Sequence, residues 1–158
     1  MGFQIGDKVI HMTYGLGEIA LIEEKIVLGH LTKCYVVQIS DLTIWVPIND
    51  QGQSSLRLPT PPIEFEKLFA ILTSPGEKLQ EDRMLRKNQL MEQLRDGQLA
   101  SICRVVRDLT HFQRRTKLND QERSILERAI KSLLAEWTYS LGTTINQAHQ
   151  AMERMLAA

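Results

Sequence analysis

The run Pro59-Thr60-Pro61-Pro62 divides this 158-residue chain into two halves that obey different periodicities. Proline fixes φ, lacks a backbone N–H and pushes the residue before it toward extended backbone. Three prolines in four positions therefore continue neither a sheet ladder nor a helix interior. Before the break, short apolar runs alternate with period two; beyond it the period is 3.6 and stays there. The expectation is an α+β, two-domain protein. Residues 1–58 should form a small antiparallel β-barrel or sheet, and residues 59–158 a compact all-α domain of about five helices.

The first half is punctuated by Gly6-Asp7, Gly15-x-Gly17, Gly29-His30 and Ser40-Asp41, which separate runs rich in Val, Ile, Thr and Tyr. That is the pattern of short strands joined by tight turns. Gly15 and Gly17 bracket a turn that calls for positive φ or close backbone approach. In the run 42–46, Leu42, Ile44 and Val46 share one face of a strand, and Thr43 and Trp45 share the other. The aliphatic trio is the natural core set, so Trp45 is expected to point outward. In the neighbouring run, Tyr35, Val37 and Ile39 alternate with Cys34, Val36 and Gln38, and parity alone leaves its buried face open.

In the second half, Ile63, Leu68 and Leu72 with Phe65 and Phe69 mark a first helix. A second is expected from about Leu79 to Arg95, and a third carries Leu99, Ile102, Val106 and Leu109. A fourth opens at Asn119, with Glu122 at capping-box spacing, carries Leu126, Ile130, Leu133 and Trp137, and stops at Gly142. Thr143 or Thr144 then caps a fifth with Ala148, Met152 and Met155.

Zero net charge conceals an uneven distribution: residues 83–117 hold nine basic and three acidic side chains, a local +6, while every other stretch is negative. On the second helix Arg83 and Lys87 continue the stripe of Leu90 and Leu94, with Arg86 alongside. On the third, Arg104, Arg107, His111, Arg114 and Arg115 fall in one sector opposite the apolar stripe. A charged outer face is the default for an amphipathic helix, and basic clustering is also the footprint of nucleic-acid contact. Trp45 is likewise either filler or a partner anchor, since outward tryptophans are enriched in interface hot spots. Trp137, four residues past Leu133, reads as packing.

Cys34 and Cys103 are far apart without CxxC spacing, which disfavours a zinc site or disulfide framework and fits a reducing, cytoplasmic compartment. No apolar run approaches the ~20 residues needed to cross a bilayer. His11, His30 and His149 lack metal-ligand spacing, and no phosphate loop, GxSxG or recognisable carboxylate pair is present. A non-enzymatic protein without cofactor or metal is expected, with nothing demanding more than a monomer.

Phe3-x-Ile5-Gly6-Asp7-x-Val9 followed by Tyr14-Gly15-x-Gly17-x-Ile19 resembles the opening of the CarD/CdnL family of bacterial transcription regulators. The resemblance continues through Leu42-Thr43-Ile44-Trp45-Val46-Pro47 and Leu56-Arg57, and into Val105-Val106-Arg107-Asp108-Leu109, so it covers nearly the whole chain. The first motif is shared with Tudor-like polymerase-binding modules of transcription-repair coupling factors; the helices downstream make the match specific. It implies a Tudor-like N-terminal domain that docks on the β subunit of RNA polymerase, through Lys25, Trp45 and Pro47. It also implies a helical domain that meets promoter DNA at the upstream edge of the bubble without sequence specificity. Arg83, Arg86 and Lys87, joined by Arg104 and Arg107, are the expected DNA contacts. The chain departs from the family in two places: Trp45 stands where the family usually has arginine, and Arg83 where it has a DNA-facing tryptophan. The rival reading is a protein-interaction adaptor whose helical domain binds another protein.

Overall fold

The computed structural model describes residues 2–158, and the chain folds as two compact units, one running to Pro59 and one spanning Thr60–Ala158. The first holds four strands, β1 (Lys8–His11), β2 (Gly15–Val27), β3 (His30–Ile39) and β4 (Leu42–Pro47), in one antiparallel meander ordered β1-β2-β3-β4. A short bridge between Ile10 and Arg57 adds a pairing at the outer side of β1. This is the open half-barrel expected of a Tudor-like unit. The second holds a 3₁₀ turn (Pro62–Glu64) and five helices: α1 (Phe65–Thr73), α2 (Arg83–Leu94), α3 (Leu99–Gln113), α4 (Asp120–Leu141) and α5 (Ile145–Ala157).

Val9, Ile19, Tyr35, Val37, Ile39, Val46 and Leu56 form the core of the sheet unit. The two glycines of the β1–β2 turn have separate jobs. Gly15 sits at φ +85, open to glycine but strained for other residues, whereas a Cβ on Gly17 would lie 2.4 Å from Ile39 Cγ1 and 2.9 Å from the Gln38 carbonyl. Opposite residues on β2 and β3 slip register between Ile19 and Leu21. Ala20 is thus the extra residue of a β-bulge, and it reverses the parity of everything after it. Ile19 faces the core before the bulge; Ile22, paired with Tyr35, faces it afterwards.

The parity expectation for β4 holds for Val46, which is buried, and for the partly buried Ile44, which packs on the core. Leu42 departs from it and is exposed, because it begins β4 immediately after the Ser40-Asp41 turn, at the end of the sheet.

In the helical unit α3 runs through the middle, packed by α1, α2 and α4, and the core is continuous from Phe65 to Leu156. Trp137 packs against Phe65 and Phe69, with ring centroids 6.4 and 4.9 Å away. The caps read from the sequence are formed. Asn119 and Glu122 make a reciprocal capping box at α4, Gly142 closes that helix at φ +63, and Thr144 with Gln147 makes a second box at α5. Two expectations fail at helix starts. Ile63 lies in the 3₁₀ turn ahead of α1 and is exposed. Leu79 is buried but contributes from extended chain, because α2 begins only where the Asp82 carboxylate accepts the Met84 and Leu85 N–H groups. Apolar spacing could not separate these cases; the cap decides where a helix begins.

Candidate functional site

Lys25, Trp45 and Pro47 share one face of the sheet, the face opposite the apolar core. The ladder pairs Leu21 with Val36, Glu23 with Cys34, Val36 with Trp45 and Cys34 with Pro47, so these side chains all project the same way. Lys25 joins them only because the bulge at Ala20 reverses parity between Ile19 and Leu21. The Lys25 ammonium lies 4.0 Å from the centroid of the Trp45 ring, and the indole N–H donates to Glu23 Oε1 at 2.6 Å. Trp45 keeps 40% of its surface exposed, while Cys34 and Val36 beneath the same face are buried. The ring is thus fixed by one cation on its face and one carboxylate at its edge. A rigid, half-exposed aromatic carrying a charge of each sign has the makings of an interface anchor.

The basic block of the helical unit divides into two kinds. Arg83 is exposed and Lys87 half-buried, both at the start of α2. Arg86, one turn inside, is 6% exposed. Its Nε forms an ion pair with Glu122, Nη1 donates to the carbonyls of Gln80 and Glu81 at 3.0 Å each, and the guanidinium lies 4.7 Å from the Phe112 ring centroid. The other Glu122 oxygen accepts the Asn119 N–H, so one carboxylate both caps α4 and holds α2.

On α3 the outward basic face expected from the sequence is broken in its middle. Arg107 is buried, donating to Asp108 Oδ1 at 2.9 Å and to Ser74 Oγ at 2.8 Å; the same Asp108 oxygen accepts the Glu77 N–H. His111 Nδ1 accepts the Gly76 N–H at 2.9 Å, and Arg114 donates to the Leu156 carbonyl at 2.6 Å. Because α3 is the central helix, the middle of its polar sector meets the segment after α1 and the end of α5, while Arg114 and Arg115 at its C-terminal end stay exposed. Arg86 and Arg107 are therefore corrected from surface phosphate ligands to interior ties. Arg104 is half-buried. Cys103, fully buried beside it, has its thiol pushed up to about 12, first by burial and then by the Glu136 carboxylate, with Arg104 and Arg107 opposing. That thiol is inert at neutral pH.

Glu23, Glu122, Asp108 and Ser74 were not legible as partners in the residue pattern; only the capping spacing of Glu122 was visible. No group of three or more His, Cys, Asp or Glu side chains among the described residues is placed to hold a metal, and none of their helices is long and apolar enough to cross a membrane.

Residues 3–58 match the CarD-like/TRCF RID domain, and residues 67–153 match the CarD C-terminal domain. The chain belongs to the CarD family. It is 30% identical over 151 residues to a Bacillus subtilis (strain 168) protein named "Putative transcription factor YdeB", across 92% of this chain and 96% of that protein. The two matched family domains follow each other in the same order as the sheet and helical units.

Proposed function

We propose that this protein is a non-enzymatic transcription regulator. It docks on the β subunit of RNA polymerase through the Lys25–Trp45–Pro47 face and contacts promoter DNA near the upstream edge of the bubble, without sequence specificity, so as to modulate open-complex stability. Membership in the CarD family supports the general reading. The observation that carries the docking half is the outward Trp45, clamped between Lys25 and Glu23 on the face away from the core. Where the family usually has arginine, indole burial supplies contact area, and Lys25 above the ring retains a positive charge there. DNA contact falls to Arg83 and Lys87, with Arg104 as an outlying third. Two or three phosphate contacts give weak, salt-sensitive binding, so free duplex is held feebly and tethering by polymerase raises the effective DNA concentration.

The test is binding of the intact protein to an isolated β-lobe fragment, beside Trp45→Ala. Micromolar or tighter binding that the substitution largely abolishes is expected. Absence of binding by the intact protein overturns the docking half.

A second reading has an observation in its favour. With Arg86 and Arg107 turned inward, only part of the +6 block faces solvent, which suits an adaptor whose helical unit binds a protein. Charge reversal at Arg83 and Lys87 separates the two readings: it reduces promoter effects if these residues meet DNA and leaves them unchanged in an adaptor.

A further inference from the structure

Trp45 is rooted on β4, yet the groups that hold its ring belong to β2, and β3 lies between those strands. The ladder sets Leu21 and Trp45 on either side of Val36, and Glu23 and Pro47 on either side of Cys34. Neighbouring strands are about 4.8 Å apart. To donate to Glu23 Oε1 at 2.6 Å, the indole must therefore reach diagonally across the width of β3. It spans that strand at the level of Val36 and Cys34, which face the same way and are buried. The side chain thus lies along the sheet instead of standing up from it.

This arrangement limits what the ring can offer a partner. An indole has a single hydrogen-bonding atom, the Nε1 donor. Here that donor is engaged within the chain, by a carboxylate. What remains of the ring is apolar surface. An arginine at the same place would do the opposite, presenting a fork of donors that suits a carboxylate. Glu23, exposed beside the ring, also repels a carboxylate brought to that place. The positive charge next to the indole comes from Lys25, on the other side of the clamp.

We propose that Glu23 is a positioning residue of the docking face. By taking the indole N–H it pins Trp45 across β3 and commits the ring to an apolar patch on the β lobe, with charge recognition left to Lys25. The inference rests on the polymerase-docking reading above and names the surface chemistry that reading requires of the lobe. Without Glu23 the indole swings free about its side-chain torsions, and binding must then order it again.

The test is titration of the full chain against the β-lobe fragment of its own polymerase. Acrylamide quenching of tryptophan emission is the second readout, with Trp137, 3% exposed, as a buried and constant background. Glu23→Ala should bind about fivefold more weakly, the cost of ordering one freed side chain, and its Trp45 should quench more readily. Glu23→Gln keeps an acceptor for the indole and should restore both affinity and quenching to those of the unsubstituted chain. Trp45→Phe has no N–H to hold, so adding Glu23→Ala to it should change nothing further. Trp45→Arg should bind more weakly than Trp45→Phe. The positioning role is overturned by any of three results: Glu23→Ala binding as tightly as the unsubstituted chain, Glu23→Gln binding as weakly as Glu23→Ala, or a further loss in the double variant. Trp45→Arg binding more tightly than Trp45→Phe overturns the apolar patch. Each of these leaves the docking reading standing as long as Trp45→Ala abolishes binding. No binding by the intact protein overturns both.

Discussion

The sheet and helical units treat their polar side chains in opposite ways. In the sheet unit the distinctive groups, Lys25, Glu23 and Trp45, gather on an outward face and satisfy one another there. In the helical unit the most elaborate polar contacts, Arg86 with Glu122 and Arg107 with Asp108 and Ser74, are interior. The geometry of each element explains the difference. A strand has two faces, and a four-stranded sheet with one core leaves the other face free. A central helix packed by three others keeps little free face, so its buried polar residues must find partners inside. The same residue type therefore carries different information in the two units: Trp137 on α4 reports packing, whereas Trp45 on β4 reports a surface.

The largest test of this contrast is Arg86→Ala. It leaves Glu122 buried without its cation, and such half-removed pairs cost about 3–5 kcal/mol. Urea melts of the full chain should show that loss confined to the helical unit. A loss below 1 kcal/mol would mean that water reaches the pair and that the interior–surface distinction fails. Trp45→Ala should do the reverse, costing at least about 2 kcal/mol in binding to the β-lobe fragment, as hot-spot residues do, while changing the melt of the sheet unit much less. If stability and binding fall together, the tryptophan belongs to the core economy after all. Asn119→Ala should cost about 1 kcal/mol, the usual value of an N-cap, and hydrogen exchange should show fraying at the start of α4.

Arg83→Ala sits at the small end for stability, within about 0.5 kcal/mol as for other exposed positions. Its signature is instead a log–log salt dependence of DNA binding shallower by about one unit. The smallest expected effect is a pH dependence in the sheet unit. Burial lowers the pKa of His11, whose Nδ1 accepts the N–H groups of Thr13 and Tyr14 in the β1–β2 turn. A group with a depressed folded pKa stabilises the fold above its unfolded value of 6.5 and loses that contribution as pH falls through the folded one. His11→Asn should flatten this acid limb of the melting curve.

Several features were legible in the residues alone because their causes are local. Prolines at 59, 61 and 62 act on their own and neighbouring backbone, and the units meet there. The capping boxes at Asn119 and Thr144 need only a three-residue spacing, and the outward Trp45 needs only strand parity within β4. Family motifs were readable for the same reason, since each is a short run of turn and core residues. What the sequence left open depends on contacts between distant segments. The reversal that brings Lys25 beneath the same sky as Trp45 comes from one extra residue at Ala20, and a bulge is defined only against the partner strand. The fate of Arg86 rests on Glu122, thirty-six positions away, and that of Arg107 on Ser74, thirty-three away. Helical periodicity assigns an arginine to a sector of its own helix, but only the neighbouring helices decide whether that sector meets solvent or a carboxylate.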